Sequence, residues 1–276
     1  MRPRPLSLAS LRLGAAILAL LVACGARAEE TMTVAATGSV IPMLKILIDD
    51  FASRSPGLKV IVLLPPAGSG GAIKGVAAGG IDLGVAARAL RPGEAGPKVQ
   101  ALPWVRTAFV ITANHAEISK GFTLAELAAI WSGATLRWPD GQPIRLLLRS
   151  PEDADIMALR AMSPEMNRAV DAAFSRPGLP QAENDLRNLE MLEKVPGAIG
   201  GSTLGLLLSS GSRLSALAIE GVAPSARSLK DGSYPHQRTL FLISDGRPRA
   251  GPFIAYLQSA RARALLERNG YSAVKQ

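Results

Sequence analysis

Two short stretches combine glycine with hydroxyl side chains just before helical patterns: Thr37-Gly38-Ser39 and Gly68-Ser69-Gly70-Gly71. A helix N-terminus leaves backbone N–H groups unpaired and pointing outward, with the positive end of the helix dipole behind them. Glycines let an anion approach that backbone, and hydroxyls add donors, so such a loop suits a phosphate or carboxylate. The same residues also serve as ordinary caps and tight turns, and each loop taken alone reads better that way. The pair, in this order, leaves the two readings even.

Catalytic alternatives find little support in the residue types. The glycine loop lacks the Gly-Lys-Ser/Thr ending of a P-loop and the third glycine of a dinucleotide fingerprint. Ser69 has glycine directly before it, which breaks the frame of a nucleophile elbow. The chain has two histidines, His115 and His236, too few for a histidine-based metal centre and a poor start for a Ser-His-Asp triad. The expectation is therefore a binding protein with no catalytic residue, no cofactor and no metal.

The elements that must hold the loops alternate. Thr33 to Ala36 reads as a strand, the residues after Pro42 as an amphipathic helix, Lys59 to Leu64 as a strand and Ala72 to Ala78 as a helix. Strands follow at Ile81 to Ala86, Ala108 to Ala113, Ile144 to Arg149 and Thr239 to Ile243, with a turn into another at Pro196 to Gly201. Helices are expected at Thr123 to Trp131, Ile156 to Met162, Pro164 to Phe174, Asn184 to Lys194 and Gly251 to Asn269. Thr123 with Glu126 three residues on is a capping-box pair. Continuous apolar strands alternating with helices indicate an α/β fold with a parallel sheet covered on both faces.

At its start the chain has another character. Arg2, Arg4 and Arg12 precede an apolar run from Leu13 to Ala23, the pattern of a secretory signal and too short for a membrane span. Cleavage after Ala26-Arg27-Ala28 would release a mature chain at Glu29. Leu21-Val22-Ala23-Cys24 resembles a lipobox, in which Cys24, the one cysteine of the chain, would carry a lipid anchor. Either route ends outside the cytoplasm, in the periplasm. The formal charge of +9 includes four arginines of residues 1 to 28 and no acid there, leaving 27 bases against 22 acids, or +5. Aromatics are 4% of the residues and no basic run appears, which argues against nucleic acid and suits an anionic solute or simple solubility.

Together these residues carry a resemblance. Gly68-Ser69-Gly70-Gly71, Gly80-Ile81-Asp82-Leu83-Gly84 and Arg88 with Leu90 resemble the "GSGG…G-x-D-x-G…R-x-L" run of the substrate-binding proteins of phosphate ABC transporters. Thr37 to Pro42 is similar to that family's first anion loop. Phe122-Thr123-Leu124 through Trp138, Pro196 to Gly200, and Ser233-Tyr234-Pro235 through Leu240 are further family-like segments in the expected order. The resemblance implies a two-lobed type 2 periplasmic binding protein fold with a ligand cleft between lobes joined by two crossover strands. Lobe one would comprise residues 29–108 plus 239–276, after a signal peptide at 1–28, and lobe two residues 109–238. It further implies an ABC transporter permease as partner and a small, phosphate-like anion as ligand, bound by Thr37, Gly38, Ser39, Ser69, Gly70, Arg88 and Arg149.

The chain departs from the family where a third anchor, Ser-Gly-Thr, should open a helix after Arg149. Asp153-Ala154-Asp155 stands there instead, and Ala86-Ala87 replaces a polar pair before Arg88. Carboxylates suit a helix start but repel a phosphate. Three ligand readings follow: phosphate or a related anion held mainly by Arg149, a zwitterion whose amine meets Asp153 or Asp155, or a cleft that has lost its solute and serves a partner. Carboxylates facing Arg88 across the cleft would favour the zwitterion.

Overall fold

The computed structural model describes residues 30–115 and 121–274. The signal-like segment, Cys24 and both processing sites lie outside the described residues. Among those described, no helix is long and apolar enough to cross a membrane.

Among the described residues eight strands, β1 (Glu30–Ala36), β2 (Leu58–Val62), β3 (Leu83–Ala86), β4 (Gln100–Ala113), β5 (Arg145–Leu146), β6 (Ala198–Thr203), β7 (Gln237–Ser244) and β8 (Tyr271–Ala273), form one sheet in which seven follow the order β2-β1-β3-β7-β4-β6-β5 and β8 pairs with β4. In lobe one the parallel part is β1 with β2 on one side and β3 on the other, and at the far edge β5 runs parallel to β6. Helix α1 (Ile41–Ala52), opened by Pro42, links β1 to β2, and α2 (Gly68–Ala77) links β2 to β3. Pro at the first turn of α1 costs nothing, because its missing N–H would be unpaired there anyway.

Two long strands then join the halves of the molecule. In β4 (Gln100–Ala113), Gln100 to Ala108 pair antiparallel with β7 (Gln237–Ser244), while Phe109 to Ala113 pair with β6 (Ala198–Thr203). Strand β7 returns the chain and pairs antiparallel with β3. The sheet is therefore mixed rather than all-parallel. The crossover strands are the reason, since both run against their neighbours and no local periodicity reports strand direction.

Two apolar cores lie on either side of these crossovers. One packs Met32, Leu44, Leu47, Phe51, Leu242 and Phe253. The other packs Phe109, Trp131, Ile156, Met166, Leu206 and Tyr234, all from between residues 108 and 234. We call the corresponding halves lobe one and lobe two. Lobe two also holds α3 (Leu124–Ser132), the two-residue β5 (Arg145–Leu146), α4 (Ala154–Met162), α5 (Pro164–Ser175), α6 (Asp185–Lys194), α7 (Leu204–Ser210) and α8 (Ala226–Asp231). The capping box at α3 forms as the spacing requires: Glu126 N donates to Thr123 Oγ1 at 3.2 Å, and Thr123 N donates to Glu126 Oε2 at 2.7 Å.

The closing helix expected over Gly251 to Asn269 is broken. It divides into α9 (Gly251–Leu257) and α10 (Ala260–Arg268), because Ser259 adopts an extended backbone and its hydroxyl caps the second helix. Strand β8 (Tyr271–Ala273) ends the described chain.

Candidate functional site

The parallel strands of lobe one all deliver their carboxyl ends to the same edge, which is where open α/β sheets bind ligands. Strand β1 ends at Thr37-Gly38, the loop after β2 ends at Gly68, and β3 runs out through Ala87 to Arg88. From lobe two, Arg149 follows β5, and the starts of α4 and α6 meet the same space. Between them lies a cavity of about 330 Å³, at the lower end of the range for small-molecule sites.

On the lobe-one side, α2 begins at Gly68 with no side chain capping it. Gly68 has φ +66°, a left-handed conformation that glycine adopts without strain. Ser69 Oγ accepts from Ala87 N at 2.9 Å, tying the helix start to the end of β3, and its own proton stays available to another acceptor. A β-carbon at Gly70 would stand 3.8 Å from Arg88 Nη2, so the guanidinium lies over the helix start. Arg88 is itself engaged: Nη1 and Nη2 donate in parallel to Glu94 at 2.6 and 2.5 Å. That fork holds the Glu94 carboxyl down to about 2.

On the lobe-two side the helix starts are capped. Asp153 Oδ1 accepts from Asp155 N at 2.8 Å over α4, and Asn184 Oδ1 accepts from Arg187 N at 2.9 Å over α6. At the start of α4, where the family resemblance calls for Ser-Gly-Thr, the Asp155 N–H is thus met by an acid of the chain itself, Asp153. Asp153 Oδ2 also accepts from Arg149 Nη2 at 2.6 Å, and Arg149 Nη1 donates to Ala182 O at 2.7 Å.

Beneath this surface, Arg149, Arg238, Asp155 and Asp185 are each 5% exposed or less. Arg238, near the start of β7, pairs with Asp155 and lies over the Phe109 ring at 5.6 Å. Asp185 Oδ1 is 3.8 Å from Arg238 Nη1, and its Oδ2 is 3.9 Å from Arg149 Nη2. Thr37 Oγ1 donates across the lobes to Asp185 Oδ2 at 3.3 Å. With Asp153, three carboxylates share two guanidinium groups. Burial, with the neighbouring acids adding to it against the pull of the arginines, pushes the Asp155 carboxyl up to about 7.

Of the residues expected from the sequence, Thr37, Gly38, Ser69, Gly70, Arg88 and Arg149 all line the cavity. Ser39 does not; it is buried, with no hydrogen-bond partner for its hydroxyl among the described residues. Arg91, Glu152, Glu183, Asp185 and Arg238 also line it. Glu152 belongs to the acidic run with Asp153 and Asp155 that the sequence sets against a phosphate, whereas Asp185 reads as an ordinary first-turn acid of α6, and Arg238 as one residue of a family-like strand. Among the described residues no group of histidine, cysteine or acidic side chains could hold a metal ion.

Fold and cleft together define a type 2 periplasmic binding protein, a class of solute-binding proteins and not of enzymes. The chain belongs to the PBP superfamily, whose domain profile matches residues 22–261. No curated protein matches it in sequence. Among solved structures, one named for a phosphate ABC transporter substrate-binding protein with bound phosphate from Clostridium perfringens is similar, with a TM-score of 0.74 at 17% identity, over 89% of this chain and 100% of that one. An ABC-type phosphate transport receptor from Vibrio cholerae gives 0.62 at 20% identity, over 87% and 98%. The reduced form of OxyR from N. meningitidis shares the fold at 0.56 and 11%, over 89% and 99%.

Proposed function

We propose that this chain is an exported solute-binding protein whose interlobe cleft takes a small solute carrying both an anionic and a cationic group. The observation that carries this reading is the charge arrangement of one cavity. The uncapped start of α2 and the Arg88 guanidinium stand on its lobe-one side, and the Glu152 and Glu183 carboxylates of lobe two stand on the other. Glu152 and Glu183 form no ion pair among the described residues, and Arg149 already has Asp153. An anionic group on Gly68-Ser69-Gly70 would take backbone and hydroxyl donors in place of its water shell. A cationic group would meet the carboxylates opposite. Lobe one (29–108 plus 239–276) and lobe two (109–238) would close on the solute about β4 and β7.

Free phosphate is the second reading, favoured by the uncapped glycine-hydroxyl helix start and by the resemblance to phosphate carriers. Its dianion would have to settle beside carboxylates with no cation of its own to offset them. An N-terminal signal pattern supports export to the periplasm, with Cys24 lipidation or cleavage after Ala28 as the two routes and an ABC permease as the partner for uptake. Mass spectrometry of the mature N-terminus separates the two routes.

A thermal-shift panel on the mature chain tests the ligand class. A zwitterion, an amino acid first, should raise the midpoint in proportion to RT ln(1 + [L]/Kd). A rise with phosphate, sulfate or molybdate alone would replace this reading with the second. No rise with any anion, amino acid or sugar would favour a partner-binding module instead.

A further inference from the structure

The floor of the cavity is occupied by a group of the chain itself. Thr37 Oγ1 from lobe one donates to Asp185 Oδ2, and the guanidinium groups of Arg149 and Arg238 approach the same carboxylate to 3.9 and 3.8 Å. Gly38 leaves room for it: a β-carbon there would fall 2.8 Å from Asp185 Oδ2 and 3.1 Å from Asp185 N. A hydroxyl, a bare glycine and two arginines, each arginine with a buried Nε lacking an acceptor, make a receptor for an acidic oxygen. The receptor is assembled from both lobes and filled from within.

We infer that Asp185 is a specificity-determining residue, an intramolecular carboxylate that fills the deep anion subsite formed by Thr37, Gly38, Arg149 and Arg238 and so excludes free tetrahedral anions. Charge counting supports the assignment. Two guanidinium groups already face Asp153, Asp185 and the partly protonated Asp155, so their charge is met within the chain and a phosphate entering beside the three acids adds uncompensated negative charge. Removing Asp185 leaves the two arginines matched by two carboxylates, and an anion can take the vacated place one for one. The inference rests on the cleft being a solute site, yet it does not require the solute to be a zwitterion.

Titration calorimetry with inorganic phosphate decides it, using the mature chain and its Asp185→Gly and Asp185→Ala variants, with folding checked by circular dichroism. The variants should bind phosphate roughly tenfold or more tightly than the unsubstituted chain, since donors to a charged group are freed for the ligand. Adding Thr37→Val to Asp185→Gly should reverse most of that gain. Asp185→Ala also empties the subsite and keeps a better helix former at the start of α6, so it carries the test if the glycine variant does not fold. Phosphate binding by the unsubstituted chain as tight as by either variant overturns the inference, and so does a folded variant that gains nothing. Failure of every zwitterion in the panel together with a gain in Asp185→Gly would leave this inference standing while removing the zwitterion reading.

Discussion

On one side of the cleft α2 starts at Gly68 with its first N–H groups uncapped; on the other, α4 and α6 start beneath Asp153 and Asn184. The charges differ in the same sense. Arg88 of lobe one sits near the surface and is matched by a single acid, Glu94, with side chains 20% and 12% exposed. Arg149 and Arg238 are buried at the junction of the lobes and share three aspartates. One wall leaves the backbone donors of a helix start without a side-chain cap, while the other caps its helix starts and spends its guanidinium donors on its own carboxylates and a backbone carbonyl. A helix start facing a cleft is therefore a binding element only if the chain leaves it uncapped.

The largest effect should come from the buried wall. Arg238→Met strips Asp155 and Asp185 of a cation in a dry setting, and breaking a buried pair from one side costs about 3–5 kcal/mol. Denaturant unfolding would show it, and a loss below ~1 kcal/mol would mean that the cluster is far better solvated than its burial indicates.

A smaller loss, about 1–3 kcal/mol, is expected of Gly38→Ala, whose new methyl must displace Asp185. The same substitution placed on Asp185→Gly should cost clearly less, and the double-mutant cycle reads the difference as coupling across the lobes. Additive effects would separate Thr37-Gly38 from Asp185.

Next in size is a dependence on pH. The Asp155 carboxyl stands at about 7 when folded, against an ordinary value of 3.8. The folded state then binds more protons than the unfolded one between those values, so this group's stabilisation is complete below pH 3.8 and is lost as pH rises through 7. Glu94, held down to about 2, acts in the opposite sense and only below its ordinary value of 4.5. Melting temperatures should therefore fall from pH 5 to pH 8, and Asp155→Asn should flatten that slope. An unchanged slope in the variant would assign it to another group.

The least effect on stability belongs to the open wall. Arg88→Ala breaks a partly solvated pair and should cost no more than ~1 kcal/mol, while weakening solute binding. Unchanged affinity would take Arg88 out of the site.

How much of this was legible beforehand follows from what local sequence encodes. The glycine-hydroxyl loops, the Thr123-Glu126 box and the strand-helix alternation are short-range signals, and each stands in the structure near its expected place. Arg88 and Arg149 were legible through the family resemblance, and they do line one cavity. Their partners could not be read. Glu94 lies six residues from Arg88, but Asp185 meets Thr37 from 148 residues away, and Arg238 meets Asp155 across 83. Such contacts depend on how the crossover strands set the lobes, which no window of sequence contains. The mixed sheet escaped notice for the same reason, because β4 and β7 read as apolar strands whatever their direction. The split of the last helix at Ser259 was a local signal overlooked, since serine is a strong cap.

The central claim is that the cleft holds a solute bearing both charges, and a crystal structure of the mature chain with the solute that gives the largest thermal shift tests it most directly. The account predicts an anionic group over Gly68-Ser69-Gly70 beside Arg88, a cationic group within hydrogen-bonding distance of Glu152 or Glu183, and Asp185 still against Thr37. A lone tetrahedral anion between Thr37 and Arg149, with Asp185 swung out of the cleft, would contradict it.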